Sequence, residues 1–220
     1  MNLAPYIEQT LLKPNCHRQQ IDRLCSEAIE HQFRGVCVPP YYVSKATSAV
    51  SGRSNLLVVT VIGFPAGYSD TSAKIAEAKV ALHQGADELD VVINGCAVKN
   101  GDWHFVINEL KTLTAVVHGA GKIIKVIIEA GLLTSDELSR CCDICSETAV
   151  DFVKTSTGVF GSGATPAMIE ALRKRLPDHI QIKASGGIRD RQSAFALVKA
   201  GANRIGTSSG PLLVEPVNIL

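Results

Sequence analysis

The chain has 220 residues, 46% hydrophobic and 20% charged, which is enough apolar side chain for one sizeable core in an ordinary globular composition. With 22 basic against 21 acidic residues the net charge is +1, so bulk electrostatics favours neither nucleic acid nor an anionic membrane, and any anion must be held locally. The opening Met1–Glu8 stretch has no basic region ahead of an apolar one, no run is long enough to span a bilayer, and seven cysteines without a repeated Cys-x-x-Cys frame favour free thiols in a reducing compartment, so the expected location is cytoplasmic.

After a short N-terminal extension, β-branched runs alternate with longer amphipathic stretches, and the pattern predicts strands over 7–11, 35–38, 57–62, 88–93, 123–128, 152–154, 181–184 and 204–206. Helix ends are legible between them. Asp70 precedes the 75–82 pattern with Gly85 after it, and Asp102 precedes 105–117 with Gly119 after it. Thr134-Ser-Asp-Glu137 opens a further helix, and Gly201 closes another. In the helix after Thr134, Cys141, Cys142 and Cys145 share a helical spacing with Leu138 and Ala149, which marks a buried face rather than a metal site.

Strict βα alternation implies parallel neighbours, and apolar strands such as Lys125-Val-Ile-Ile128 imply cover on both faces. Eight units and no linker predict an α/β fold, a single (β/α)8 TIM barrel over 1–220. The alternative, an open doubly wound sheet, usually carries a Gly-x-Gly-x-x-Gly turn after its first strand, and this chain has none. Active sites of such barrels lie at the carboxyl ends of the strands. The candidates there are Asp90, Glu129, Lys154, Lys183 and the serines after Gly206.

Lys154 and Lys183 end apolar strands and lead into loops of small residues, where desolvation and a second ammonium favour a neutral, nucleophilic amine. Lys125 lies in mid-strand and ranks below them, while Lys45, Lys74, Lys79, Lys99, Lys111, Lys174 and Lys199 read as surface residues. None of His17, His31, His83, His104, His118 and His179 ends a strand, so neither a metal nor a cofactor is expected and a lysine iminium is the available electron sink. Two glycine-rich turns, Ser185-Gly-Gly-Ile-Arg189 and Gly206-Thr-Ser-Ser-Gly210, follow the seventh and eighth strands, where barrels often bind phosphate on backbone N–H groups. That makes Gly186, Gly187, Ser208 and Ser209, with Gly158, the expected phosphate contacts. Arg189 either adds charge there or pairs on the outer helix, and Cys37 reads as a small core residue.

Val61-Ile-Gly-Phe-Pro-Ala-Gly67, Gly85-Ala-Asp-Glu-Leu-Asp-Val-Val-Ile-Asn94, Lys125-Val-Ile-Ile-Glu129, Asp151-Phe-Val-Lys-Thr-Ser-Thr-Gly158 and Lys183-Ala-Ser-Gly-Gly-Ile-Arg189 together resemble deoxyribose-phosphate aldolase over nearly the whole chain. The resemblance implies a metal-free class I lyase of deoxyribonucleotide catabolism. Such an enzyme cleaves 2-deoxy-D-ribose 5-phosphate reversibly to D-glyceraldehyde 3-phosphate and acetaldehyde. It implies Lys154 as the Schiff-base lysine, Lys183 as the second lysine and Asp90 as the acid/base carboxylate. A charged Lys183 would then lower the pKa of Lys154 from the ordinary value of about 10.4, and Thr157 joins the expected proton relay. Relatives of this kind are often dimeric, so a homodimer is the expected partner state besides the phosphosugar. Glu8-Gln9 and Pro39 depart from the usual Asp-His and Asn or Tyr of the family, which bears on aldehyde preference. Two other readings stay open: another lysine-dependent aldolase or transaldolase on the same barrel, and a phosphosugar-binding protein with impaired catalysis.

Overall fold

The computed structural model describes residues 1–53 and 55–214. Eight parallel strands close in chain order: β1 (Ile7–Thr10), β2 (Gly35–Val38), β3 (Leu57–Ile62), β4 (Glu88–Val92), β5 (Ile123–Ile127), β6 (Phe152–Lys154), β7 (Gln181–Ser185) and β8 (Arg204–Thr207). The seam is β8 on β1, with Glu8 opposite Gly206. This is the expected (β/α)8 barrel, and the short N-terminal extension is a single 3-10 turn, Ala4–Tyr6, that runs into β1.

The helices among the described residues are α1 (Arg18–Glu30), α2 (Val43–Val50), α3 (Thr71–His83), α4 (Gly95–Lys99), α5 (Trp103–Gly119), α6 (Ser135–Glu147), α7 (Pro166–Arg175), α8 (Arg191–Lys199) and α9 (Gly210–Val214). Caps read from the sequence work as expected: Asp70 accepts from Ser72 N–H at 2.8 Å, and Asp102 from Phe105 N–H at 3.1 Å. Thr134 and Glu137 close a reciprocal capping box. Gly119 does not end α5 from outside but is its last residue. The reversal falls two residues later, where Gly121 takes a φ of 67° and Lys122 N–H returns to the Val117 carbonyl at 3.1 Å.

Alternation along each strand divides the molecule into two unlike interiors. Outward residues such as Leu89, Val91, Ile124, Val126, Val153, Ile182 and Ile205 form one large apolar core beneath the helices. Inside the barrel the apolar cluster is small, Cys37 with Val59 and Val61. Other interior positions hold buried Glu8, Glu88, Asp90, Lys125, Lys154 and Lys183, so the outward apolar residues serve the outer layer while much of the inner one is charged. Gln9, next to Glu8, points outward and ties β1 to its neighbours, donating to Glu27 at 2.8 Å and accepting from Gly210 N–H at 3.0 Å. On α6, Cys141, Cys142 and Cys145 are buried as expected, and burial pushes the first two thiols up to about 12 and about 11.

Lys74 is not the surface lysine that the sequence suggests. It is wholly buried between α3 and α5, 2.9 Å from Glu109 and donating to the Val92 carbonyl at 2.9 Å. Burial lowers the Lys74 pKa and raises that of Glu109 against their mutual attraction, so dehydration dominates both partners. Lys74→Met is expected to strand Glu109 and the end of β4 and to destabilise the fold by about 3 kcal/mol. The check is urea unfolding with an unchanged slope and a lowered midpoint; an unchanged midpoint would show that the pair contributes nothing net.

Candidate active site

Strand register brings the sequence candidates together. Lys154 and Lys183 are direct neighbours across β6 and β7, and Asp90 faces Lys125 across β4 and β5. Asp90 is fully buried and saturated by three lysines. Its Oδ2 accepts from Lys154 Nζ at 2.8 Å and from Lys183 Nζ at 2.6 Å, and its Oδ1 from Lys125 Nζ at 2.9 Å. Below this hub, Lys125 also lies 2.5 Å from Glu88 and 3.6 Å from Glu8. Glu8 in turn pairs with Lys183, with Arg204 Nε 3.7 Å from its other oxygen. Phe152 separates Lys125 from Arg204, whose cations sit 5.7 and 5.4 Å from its ring centre.

A charge count follows from these contacts. Glu8, Glu88 and Asp90 balance Lys125, Lys183 and Arg204, and the amine left over is Lys154. Burial works against Asp90, Glu8 and Lys183 as ions, and their partners decide the outcome. For Asp90 burial pushes upward, but Lys125, Lys154 and Lys183 hold the carboxyl well below its usual range. For Glu8 burial also pushes upward, and Lys125 and Lys183 still bring it below. For Lys183 burial pushes downward, yet Asp90 and Glu8 raise it above the ordinary lysine value. Lys183 is therefore a firmly charged ammonium.

Above the hub opens a cavity of about 430 Å³. Lys154, 2% exposed, stands in its floor, and Thr157, Gly158, Gly186, Gly187 and Ser208 are in its wall together with Arg189, Lys13 and Phe64. The N–H groups of Gly158, Gly186, Gly187 and Ser208 donate to nothing among the described residues. Two close-set loops require glycine here: a Cβ on Gly163 would lie 2.1 Å from the Gly186 carbonyl oxygen, and Gly186 itself has a φ of 91°. Backbone donors without a partner among the described residues thus line the same cavity as the Lys154 amine. Asp90 and Lys183 lie beneath the cavity rather than in its wall. Ser209 is set back from it, its N–H bonded to Thr207 Oγ1 at 2.9 Å.

Three further charged residues to which sequence reasoning assigns no role lie in or beside this cluster. The mid-strand position of Lys125 ranks it below the other lysines, yet it shares the inner face with Asp90, and a lysine in mid-strand, rarely buried, is the available signal. Glu8 stood out only as a departure from a family pattern, and its longer side chain reaches Lys183. Glu129 reads in the sequence as a strand-end residue and no more. Its Oε2 accepts from Thr157 N–H at 3.0 Å and from the Thr157 hydroxyl. Both Thr157 donors are therefore committed to one carboxylate oxygen.

Comparison with known proteins places these features in a wider set. The DeoC/LacD family aldolase profile matches residues 5–211. Deoxyribose-phosphate aldolase of Thermococcus gammatolerans is 45% identical over 216 residues, covering 98% of this chain and 96% of that protein. The Brevibacillus brevis protein of the same name is 46% identical over 215 residues, covering 97% and 96%. Among solved structures, the tetrameric deoxyribose phosphate aldolase of Aeropyrum pernix superposes with a TM-score of 0.89 at 35% identity, covering 96% of this chain and 89% of that one.

Proposed function

The chain belongs to the DeoC/LacD family of aldolases, and from that premise we propose that it cleaves 2-deoxy-D-ribose 5-phosphate reversibly to D-glyceraldehyde 3-phosphate and acetaldehyde, with Lys154 as the Schiff-base nucleophile. The observation that carries the reading is Asp90 Oδ2, shared at hydrogen-bond distance by the Lys154 and Lys183 amines under a cavity rimmed with free backbone N–H groups.

In the proposed cycle the neutral Lys154 Nζ attacks C1 of the open-chain sugar, and loss of water gives an iminium. A base removes the C3 hydroxyl proton, the C2–C3 bond breaks, and its electron pair moves into the iminium to leave an enamine on Lys154 while the phosphorylated aldehyde departs. Protonation at C2 and hydrolysis release acetaldehyde and restore the amine. Asp90 and Lys183 form the proton relay with water, since Asp90 touches both amines. Gly158, Gly186, Gly187 and Ser208 receive the phosphate through their N–H groups, Ser209 supports that loop from behind, and Thr157 lines the approach. The proposal places the reaction in the cytoplasm and in a homodimer. Among the described residues no helix is long and apolar enough to cross a membrane.

Borohydride reduction in the presence of acetaldehyde or deoxyribose 5-phosphate, followed by peptide mass mapping and a coupled assay for glyceraldehyde 3-phosphate, tests this. An adduct on Lys154 with turnover is the expected result. An adduct on Lys183 would exchange the two roles, and turnover of another aldehyde donor alone would move the chain to a different aldolase.

A further inference from the structure

Glu129 is unlike the other ions of the barrel. At φ 49° and ψ 54° it holds a left-handed conformation at the carboxyl end of β5, where a side chain is disfavoured and where such strain marks functional positions. The other described non-glycine residues at positive φ, Gln32 and Ala149, merely follow the ends of α1 and α6. Glu129 is 8% exposed, and the backbone on either side of it is pinned to the strand that carries the nucleophile: Ile128 N–H donates to the Lys154 carbonyl at 3.0 Å and Ala130 N–H to the Thr155 carbonyl at 2.8 Å. Its Oε1 is buried without a partner among the described residues, so the carboxylate is dehydrated for the sake of what Oε2 does.

Oε2 takes both donors of Thr157, and Thr157 Oγ1 accepts from Val159 N–H at 3.1 Å. These bonds freeze a turn from both sides of Gly158, which has a φ of 80° and an N–H free at the cavity wall. Because a turn of this kind keeps several shapes when its anchors are absent, the acceptor that fixes it sets where the Gly158 donor points.

We propose that Glu129 is a positioning residue for the substrate's phosphate: through Thr157 it aims the Gly158 N–H into the cavity and so governs preference for phosphorylated over unphosphorylated sugar. The inference rests on the aldolase reading. It assigns Glu129 no contact with the reacting carbon, so chemistry at Lys154 should not depend on it.

The test compares the native protein with Glu129→Ala, Glu129→Gln and Glu129→Gly in cleavage of deoxyribose 5-phosphate and of deoxyribose, alongside borohydride trapping of acetaldehyde. For Glu129→Ala the KM for the phosphorylated sugar should rise about tenfold, the equivalent of one well-aimed hydrogen bond, with kcat for it, KM for deoxyribose and the trapping rate unchanged. Glu129→Gln should recover most of the loss, because a carboxamide oxygen accepts both Thr157 donors. Glu129→Gly removes the carboxylate while relieving the left-handed backbone, and it serves if the alanine variant folds poorly. Equal losses for both sugars, or an unchanged ratio between them, would overturn the proposal in favour of a purely structural role. Affinity for inorganic phosphate, measured by calorimetry on the same proteins, reads the corner without turnover: a native protein that binds phosphate but cleaves neither sugar defeats the aldolase reading, whereas equal phosphate affinity in native and Glu129→Gly proteins defeats the Glu129 role.

Discussion

Lys154→Met is expected to abolish the borohydride adduct and to lower kcat/KM for deoxyribose 5-phosphate by at least about four orders of magnitude, or about 5.5 kcal/mol of transition-state stabilisation. The size follows from what is lost: without an iminium, the C2–C3 electron pair has no sink, and neither Lys183 nor Lys125 is free to supply one. Each is held as a cation among carboxylates, Lys183 by Asp90 and Glu8, and Lys125 by Asp90, Glu88 and Glu8. The fold should tolerate the change, because the interior carboxylates remain matched by Lys125, Lys183 and Arg204. Single-turnover trapping and circular dichroism on the same preparation check both halves. A variant that still forms the adduct would show that another lysine carries the chemistry.

Asp90→Asn should damage both activity and stability. Both Asp90 oxygens accept from ammonium groups, so the carboxamide must turn its NH2 toward a lysine, donor against donor, and three buried cations lose their shared anion. Breaking a buried ion cluster at one member costs about 3–5 kcal/mol, and loss of the relay lowers kcat by about 10²–10⁴. The pH dependence fixes the sign. Asp90 and Glu8 are both held below their ordinary values, so their stabilisation is complete above the unfolded carboxyl values of about 4 and is lost as pH falls through the lower folded ones. Acid unfolding of the native protein should therefore steepen below about pH 4, and Asp90→Asn should show a shallower acid limb. A variant with native stability and native kcat would remove Asp90 from both roles.

The strands were legible because each is short, β-branched and bounded by turn residues, and because burial on both faces of a parallel sheet leaves little else for such runs to be. The reactive pair was legible for the converse reason: Lys154 and Lys183 interrupt apolar runs at the end where barrels do chemistry. Lys74 was not, since a helical lysine looks the same whether it faces water or a neighbouring glutamate, and only the packing of α3 on α5 decides. Lys125 was hidden by its position in mid-strand, which argues against a reactive role but says nothing of a role as counter-ion. The Glu129 contact spans two loops and leaves no periodic trace in either.

Glu8 and Lys183 are 175 residues apart in sequence, and they meet because β8 closes back on β1. Their pair, like that of Glu8 with Arg204, thus belongs to the last loop that the folding chain can shut, and ordering so distant a contact carries a large entropic penalty. Until the ring seals, Lys183 lacks one of its two anions and Asp90 must answer for its surplus charge alone. Refolding should therefore regain helical signal before it regains a competent amine, and the return of catalysis marks the moment at which the first strand finds the eighth.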